Sequence, residues 1–247
     1  MSGLLIVTGA SSGIGAATAR NAAFNGWSRI VVHYNSDQAG AEETAGVIES
    51  MGAQAYLFRA DLAKPKAIAQ MFKPLRDLKS GRIGLMNNAG VVAPKAGIAD
   101  LTPERVSDIF AVNVLGAIEV ARQSVSLMRE WGKGGAIVNV SSVAARLGSG
   151  NLFVDYAASK GAIDSFTLGL ADELAPEGIR VNAIRPGLID TDIHAKGGYP
   201  DRLAEIGHTP PLGRPGRADE VAETALWLLS ERASYITRSL IDVSGGR

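Results

Sequence analysis

Three residues, Ala157-Ala158-Ser159, separate Tyr156 from Lys160. On a helix that spacing puts the phenol and the ammonium on one face. An ammonium ~5 Å from a phenolate, at an effective dielectric of about 20, contributes about 3 kcal/mol, enough to lower a phenol pKa by roughly two units. The pair would bring Tyr156 toward the range of a working acid or base. Taken alone, the same spacing also describes an amphipathic pair on a half-exposed helix. Upstream, the Ser141-Ser142 pair offers hydroxyl donors, and Asn113 is an amide flanked by Phe110, Val112, Val114 and Leu115. A polar side chain in so apolar a neighbourhood calls for a hydrogen-bonding role.

Those residues must be positioned by the elements between them. Apolar, strand-like runs recur at Leu4 to Val7, Ile30 to Val32, Ala55 to Phe58, Ile83 to Met86, Ala136 to Val140, Ile179 to Ile184 and Leu240 to Val243. Helical patterns separate them at about 13–25, 37–51, 64–78, 103–131, 155–175 and 218–229. Strands alternating with helices predict an α/β, doubly wound, three-layer Rossmann-type fold with a mostly parallel seven-stranded sheet. In such a sheet Ser141 and Ser142 fall at the carboxyl edge of the fifth strand, where ligands bind. The segment about 188–215, broken by Gly197-Gly198, Pro200, Pro210-Pro211 and Gly213, reads as a variable substrate lid. With 247 residues and 46% apolar content, the chain can bury one large core and is expected to form one domain.

Thr8-Gly9-Ala10-Ser11-Ser12-Gly13-Ile14-Gly15 follows the first strand and opens the first helix. There a glycine turn lets backbone approach a pyrophosphate at a helix N-terminus. The spacing differs from the commoner G-x-G-x-x-G, so the motif by itself also fits a plain tight turn. The second strand ends His33-Tyr34-Asn35-Ser36 without the carboxylate that usually receives a ribose hydroxyl, and Asp37 is placed to cap the next helix. His33, Asn35 and Ser36 could donate to a 2′-phosphate, which favours NADP over NAD, although Ser12 stands where an arginine often reads that phosphate. Asp61-Leu62 after the third strand either meets an adenine or caps a helix near Lys64. Asn88-Ala89-Gly90 after the fourth strand lies where the strand order should reverse.

Together these motifs, in this order, resemble the short-chain dehydrogenase/reductase family along nearly the whole chain. The resemblance implies hydride transfer between a nicotinamide and a ketone or secondary alcohol, with Asn113, Ser142, Tyr156 and Lys160 as the catalytic set. Ser142 rather than Ser141 aligns with the family serine. Lys160 would also bond the nicotinamide ribose, and Asn113 would hold a water linking Lys160 to solvent. By the same resemblance the cofactor contacts are the glycine turn (Gly9, Ser11, Ser12, Gly13, Ile14, Gly15), Asp61, Leu62, Asn88, Ala89, Gly90, Tyr156, Lys160, Pro186, Gly187, Ile189 and Thr191. Two positions depart from the family pattern. Gly84 interrupts the fourth strand, which suggests loose packing, and Arg238 stands where a glycine is usual, near a subunit interface of many members.

Both 3-oxoacyl-carrier-protein reductase-like and sugar or polyol dehydrogenase-like members are resembled. An acidic carrier would need a basic surface, which Arg122, Arg129 and Lys133 could form, while His194, Lys196 and Tyr199 in the lid suit a hydroxylated substrate. A catalytically silent dinucleotide sensor is the rival from another class. Lys plus Arg equals Asp plus Glu at 25 each, so no net charge draws nucleic acid or an anionic membrane. No cysteine is present and the three histidines lack metal-binding spacing, so no metal is assigned. Without a basic leader or a membrane-length apolar run, a cytoplasmic protein is expected. The resemblance implies a homotetramer built on the helices from Pro103 and Asp155, with Ala117, Val120, Ala162, Phe166 and Leu170 as candidate outer positions or as sheet-facing ones.

Overall fold

The computed structural model describes residues 3–79, 81–132 and 134–247. Its strands are β1 (Gly3–Val7), β2 (Arg29–Tyr34), β3 (Gln54–Arg59), β4 (Arg82–Asn87), β5 (Gly135–Val140), β6 (Ile179–Pro186), the two-residue β7 (Ile189–Asp190) and β8 (Gly216–Arg217), and β9 (Leu240–Val243). The helices are α1 (Gly13–Phe24), α2 (Gln38–Ser50), α3 (Pro65–Phe72), α4 (Pro103–Phe110), α5 (Ala117–Trp131), α6 (Ala144–Leu147), α7 (Val154–Leu174), α8 (Ile193–Lys196), α9 (Arg202–Ile206) and α10 (Ala218–Leu229). The main sheet runs β3-β2-β1-β4-β5-β6-β9 with every neighbour parallel. β1, β4 and β5 are near-continuous apolar runs because both faces of the sheet are covered.

One face packs against α1, α2 and α10, with Leu5, Val7, Val32, Ile48 and Leu226 in its core. The other packs against α3, α5 and α7 through Leu4, Ile6, Ile68, Val125, Leu174 and Val181. Ala117 and Val120 are buried within the chain, so they face the sheet rather than outward. The register pairs Val7 with both Val32 and Met86, and Val140 with Ile184. All strands therefore end along one edge, and the order reverses between β1 and β4, which opens a crevice above that edge.

Several elements depart from the sequence pattern for local reasons. The helix expected from Pro103 to Trp131 is interrupted by a π-helical turn, Ala111–Gly116, that contains Asn113. A Cβ on Gly116 would lie 2.5 Å from the Leu62 carbonyl oxygen, so this turn is pressed against the loop after β3. The stretch after α3 tightens into a 3-10 turn, Pro74–Leu78. The lid region holds α8 and α9 and is tied back by β7 pairing with β8. Gly84 leaves no looseness: a Cβ there would meet Trp27 at 2.7 Å, and the fully buried indole fills the space, with the Arg82 guanidinium 4.0 Å above its centroid. Arg238 adopts φ +63°, the left-handed conformation that suits glycine, while its Nε pairs with Asp172 at 2.8 Å.

Candidate active site

The crevice above β1 and β4 is a cleft of about 400 Å³. Gly9, Ser11, Ser12, Gly13, Ile14, His33, Asn35, Ser36, Asp61, Leu62, Asn88, Ala89, Gly90, Ser142, Tyr156, Lys160, Pro186, Gly187, Ile189 and Thr191 all line it, and Gly15 and Asn113 stand behind its wall. The glycine turn is held by contacts that only glycine admits. A Cβ on Gly15 would sit 2.1 Å from the Gly9 carbonyl oxygen, and Gly9 and Gly13 have φ of +64° and +54°. Asn88 staples this turn to β4: its amide donates to the Thr8 and Gly9 carbonyls at 2.8 and 3.2 Å, and its N–H donates to the Thr8 hydroxyl. Across the cleft the Thr191 methyl lies 3.3 Å from where a Gly13 side chain would begin. A dinucleotide fits such a cradle, because its phosphates would face the bare turn at the N-terminus of α1.

The far end of β2 differs from the sequence expectation. His33 is 2% exposed and both ring nitrogens are engaged. Nδ1 accepts from the Gly9 N–H at 3.1 Å, so Nε2 carries the proton and donates to the Ala60 carbonyl at 3.0 Å. Burial also pulls its pKa down, which keeps the ring neutral. His33 is thus a strut joining the glycine turn to the end of β3, with no donor left for a phosphate. Asn35 and Ser36 remain exposed at the cleft. Asp37 caps α2, accepting from the Gly40 N–H at 3.0 Å, and Asp61 accepts from the Ala63 N–H at 3.0 Å and pairs with Lys64 at 3.3 Å. A positive group that sequence reading overlooked lies alongside: Arg59, opposite Tyr34 in the β2–β3 register, donates through Nε to the Asn35 carbonyl at 3.0 Å.

At the reacting end, α7 presents Tyr156 and Lys160 to the cleft beside the end of β5. Lys160 is buried and donates to the Val140 carbonyl at 2.8 Å, with Nζ 5.6 Å from the Tyr156 ring centroid. Ser142 and Tyr156 line one cavity together, and the neighbouring Ser142 hydroxyl acts on the phenol to lower its pKa. Ser141 is turned away from it, 1% exposed, and donates to the Lys160 carbonyl at 3.1 Å. Asn113 accepts from the Val91 N–H at 2.7 Å and donates to the Val91 carbonyl and to the Ser159 hydroxyl at 2.9 and 3.1 Å. Ser159 donates in turn to the Tyr156 carbonyl at 2.7 Å. Gly90 fits over this group, since a Cβ would lie 3.3 Å from Asn113 Oδ1 and 3.4 Å from Lys160 Nζ. The start of α7 is anchored by Asp155, which is buried, pairs with Arg105 at 2.6 Å and accepts from the Tyr156 N–H at 2.9 Å.

The electrostatics differ from the simple pair suggested by spacing. Burial pushes the Tyr156 phenol up, while the neighbouring Ser142 hydroxyl and the Arg202 charge pull the other way without overcoming it. Lys160 is itself lowered to about 8 by burial, with Asp164 opposing. Desolvation outweighs the attraction that the open-helix estimate assumed.

The chain matches a family model described as enoyl-(acyl carrier protein) reductase over residues 9–247. It is 43% identical over 246 residues to uncharacterized oxidoreductase YgfF of Escherichia coli (strain K12), covering 99% of each chain. The 3beta-hydroxysteroid dehydrogenase 1 of Eggerthella lenta is 37% identical over 244 residues, 98% of this chain and 92% of that one. The chain belongs to the short-chain dehydrogenase/reductase family. Among solved structures, a short-chain type dehydrogenase/reductase from Mycobacterium marinum superposes with a TM-score of 0.91 at 30% identity, covering 98% of this chain and 94% of that one. Acetoin dehydrogenase YohF from Salmonella typhimurium gives 0.86 at 35% identity, covering 100% and 97%. As a family member, the protein is an NAD(P)-dependent oxidoreductase acting on CH–OH or C=O groups. Among the described residues no helix is long and apolar enough to cross a membrane, and no cluster of three or more His, Asp or Glu could hold a metal.

Sequence reading missed Ser159, Arg105 and Asp155, which position the reacting pair, and Arg202. The hydroxyl in Tyr156-Ala157-Ala158-Ser159-Lys160 was a visible signal for Ser159; the Arg105–Asp155 contact spans 50 residues and left none.

Proposed function

We propose that this enzyme transfers hydride reversibly between the nicotinamide of NADP(H) and a small ketone or secondary alcohol, with Asn113, Ser142, Tyr156 and Lys160 as its working residues. The observation that carries the reading is the meeting of Ser142 and Tyr156 in one cavity wall and, with Lys160, in the wall of the adjoining cleft. When bound, the cofactor supplies or accepts the hydride. Ser142 and Tyr156 hold the substrate oxygen by donating to it, and those bonds strengthen as negative charge builds there. A phenol kept protonated by burial is ready to give its proton to that oxygen during reduction. Lys160 returns positive charge beside Tyr156 as the phenolate forms. Asn113 fixes Val91 and Ser159, and one Oδ1 lone pair is left for a water that connects Lys160 with solvent.

Arg59 supports NADP over NAD. Its Nη groups make no protein hydrogen bond among the described residues, it lies at the exposed Asn35-Ser36 turn, and a fork of this kind suits a 2′-phosphate. The relatives named for acetoin and for a 3beta-hydroxysteroid support a secondary alcohol as substrate. A carrier-protein partner is less well supported. Arg122 is paired with Glu119 at 2.6 Å and Arg129 with Glu177 at 2.5 Å, and Lys133 lies outside the described residues. The test is a fluorescence titration with NADPH and NADH, followed by a ketone panel read at the NADPH absorbance band. Wild-type turnover should vanish in Tyr156→Phe with NADPH binding retained. Turnover surviving in Tyr156→Phe would overturn the role of the phenol, and tight cofactor binding without turnover in the wild type would favour a silent sensor.

A further inference from the structure

Beyond the Ser142–Tyr156 mouth lies a second cavity of about 390 Å³. Val92, Leu147, Leu152, Phe153, Leu188 and Ile193 give it apolar walls. Two arginines also line it, Arg202 and Arg247, and no Asp or Glu does. Apart from Tyr156, its remaining titratable side chain is His194, which is buried and donates to the Ile189 carbonyl at 2.9 Å, and burial lowers its pKa, so it is neutral.

Arg202 is unlike most arginines of this chain. Ion pairs or backbone carbonyls engage Arg29, Arg59, Arg105, Arg180, Arg185 and Arg214. The Arg202 side chain makes no hydrogen bond or ion pair among the described residues. Its Nε is buried without an acceptor, and its guanidinium lies 5.2 Å from the Phe153 ring centroid. Among the described residues the Arg247 side chain bonds only the Thr209 hydroxyl, at 3.4 Å, while its main-chain oxygen accepts from Arg146 and Ser244, and its guanidinium charge repels that of Arg202. Two partly buried cations facing one apolar cavity, with no Asp or Glu side chain in its wall, are costly unless an anion enters from outside.

We propose that the substrate of this site is an oxo-acid or hydroxy-acid, with Arg202 as the residue that binds its carboxylate while the reacting oxygen meets Ser142 and Tyr156. The proposal rests on the catalytic reading above. Arg202 lies over the Phe153 ring, and with no side-chain partner among the described residues its planar fork is available for two parallel bonds, the geometry a carboxylate accepts. The apolar walls suit the short hydrocarbon stretch between the two polar ends. Arg247 adds attraction from the rim. The same cation acts on the reacting residue, since the Arg202 charge favours the Tyr156 phenolate. A neutral ketone would occupy the cavity and leave both charges unanswered.

The test separates binding from chemistry. Dissociation constants for 4-oxopentanoate and 4-oxopentanamide are measured by ligand-observed NMR on the wild type, Arg202→Gln and Arg202→Lys, with the oxidised cofactor present so that no ketone is reduced. In the wild type the acid should bind at least about tenfold tighter than the amide, a charge-assisted bidentate pair being able to supply that ratio. The ratio should fall to within about twofold in Arg202→Gln, persist in part in Arg202→Lys, and shrink with added salt. Equal binding of acid and amide to the wild type, or an unchanged preference in a folded Arg202→Gln, overturns the proposal. Turnover is scored separately. Selective acid binding in a protein that reduces neither compound would leave the carboxylate site standing and count against the hydride-transfer reading.

Discussion

Replacing His33 by phenylalanine distinguishes a strut from a phosphate reader. The ring bridges the Gly9 N–H and the Ala60 carbonyl at 3.1 and 3.0 Å and is 2% exposed, so phenylalanine leaves one buried donor and one buried acceptor without partners. At about 1–3 kcal/mol for each of the two orphaned groups, the loss should be about 2–6 kcal/mol. For a chain of 247 residues, at about 2–4 °C per kcal/mol, that lowers Tm by about 4–24 °C. The glycine turn that His33 holds serves the phosphates shared by both nucleotides, so affinity for NADH and NADPH should fall together. Arg59→Ala is the counterpart and should weaken NADPH alone. Thermal melts and paired fluorescence titrations read both effects, with His33→Gln, which can remake one bond, falling between. An unchanged Tm with a loss confined to NADPH in His33→Phe would refute the strut. The pH dependence gives a second check. The folded-state pKa of His33 lies below its unfolded value, so its contribution to stability is full above the ordinary histidine range and is lost as pH falls through the folded value. Wild type should therefore lose more stability on acidification than His33→Phe.

Two further outcomes follow from the site. Ser142→Ala should lower kcat by about 100-fold by removing a donor to the reacting oxygen, whereas Ser141→Ala should cost about 1 kcal/mol of stability and leave kcat within a few-fold, because its hydroxyl serves the Lys160 carbonyl; steady-state kinetics and melts showing the reverse order would undo the assignment. Lys160 is lowered to about 8 from its ordinary 10.5, so between those values the unfolded chain binds the proton more and wild-type stability rises with pH, by about 3 kcal/mol across the window, a slope that Lys160→Met should lack; parallel urea-denaturation profiles from pH 7.5 to 10.5 would contradict it.

The alternation of apolar runs and helical patterns, the glycine turn and the Tyr156–Lys160 spacing were legible in the sequence because they are local: period, turn chemistry and helix face depend on neighbours a few residues apart. That sufficed for the doubly wound parallel sheet and for the residues that meet at its carboxyl edge. The sequence could not separate Ser141 from Ser142 by chemistry, since both are serines one position apart; β5 pairing with β6 and packing under α7 buries one and leaves the other at the cavity. Nor could it show that His33 faces Gly9 and Ala60, which are 24 and 27 residues away, or that Gly84 makes room for Trp27. The sign of the Tyr156 shift, the Arg59 fork beside Asn35 and the unpaired Arg202 belong to the same class. Each depends on desolvation or on contact between elements far apart in the chain, and those quantities exist only once the layers have packed.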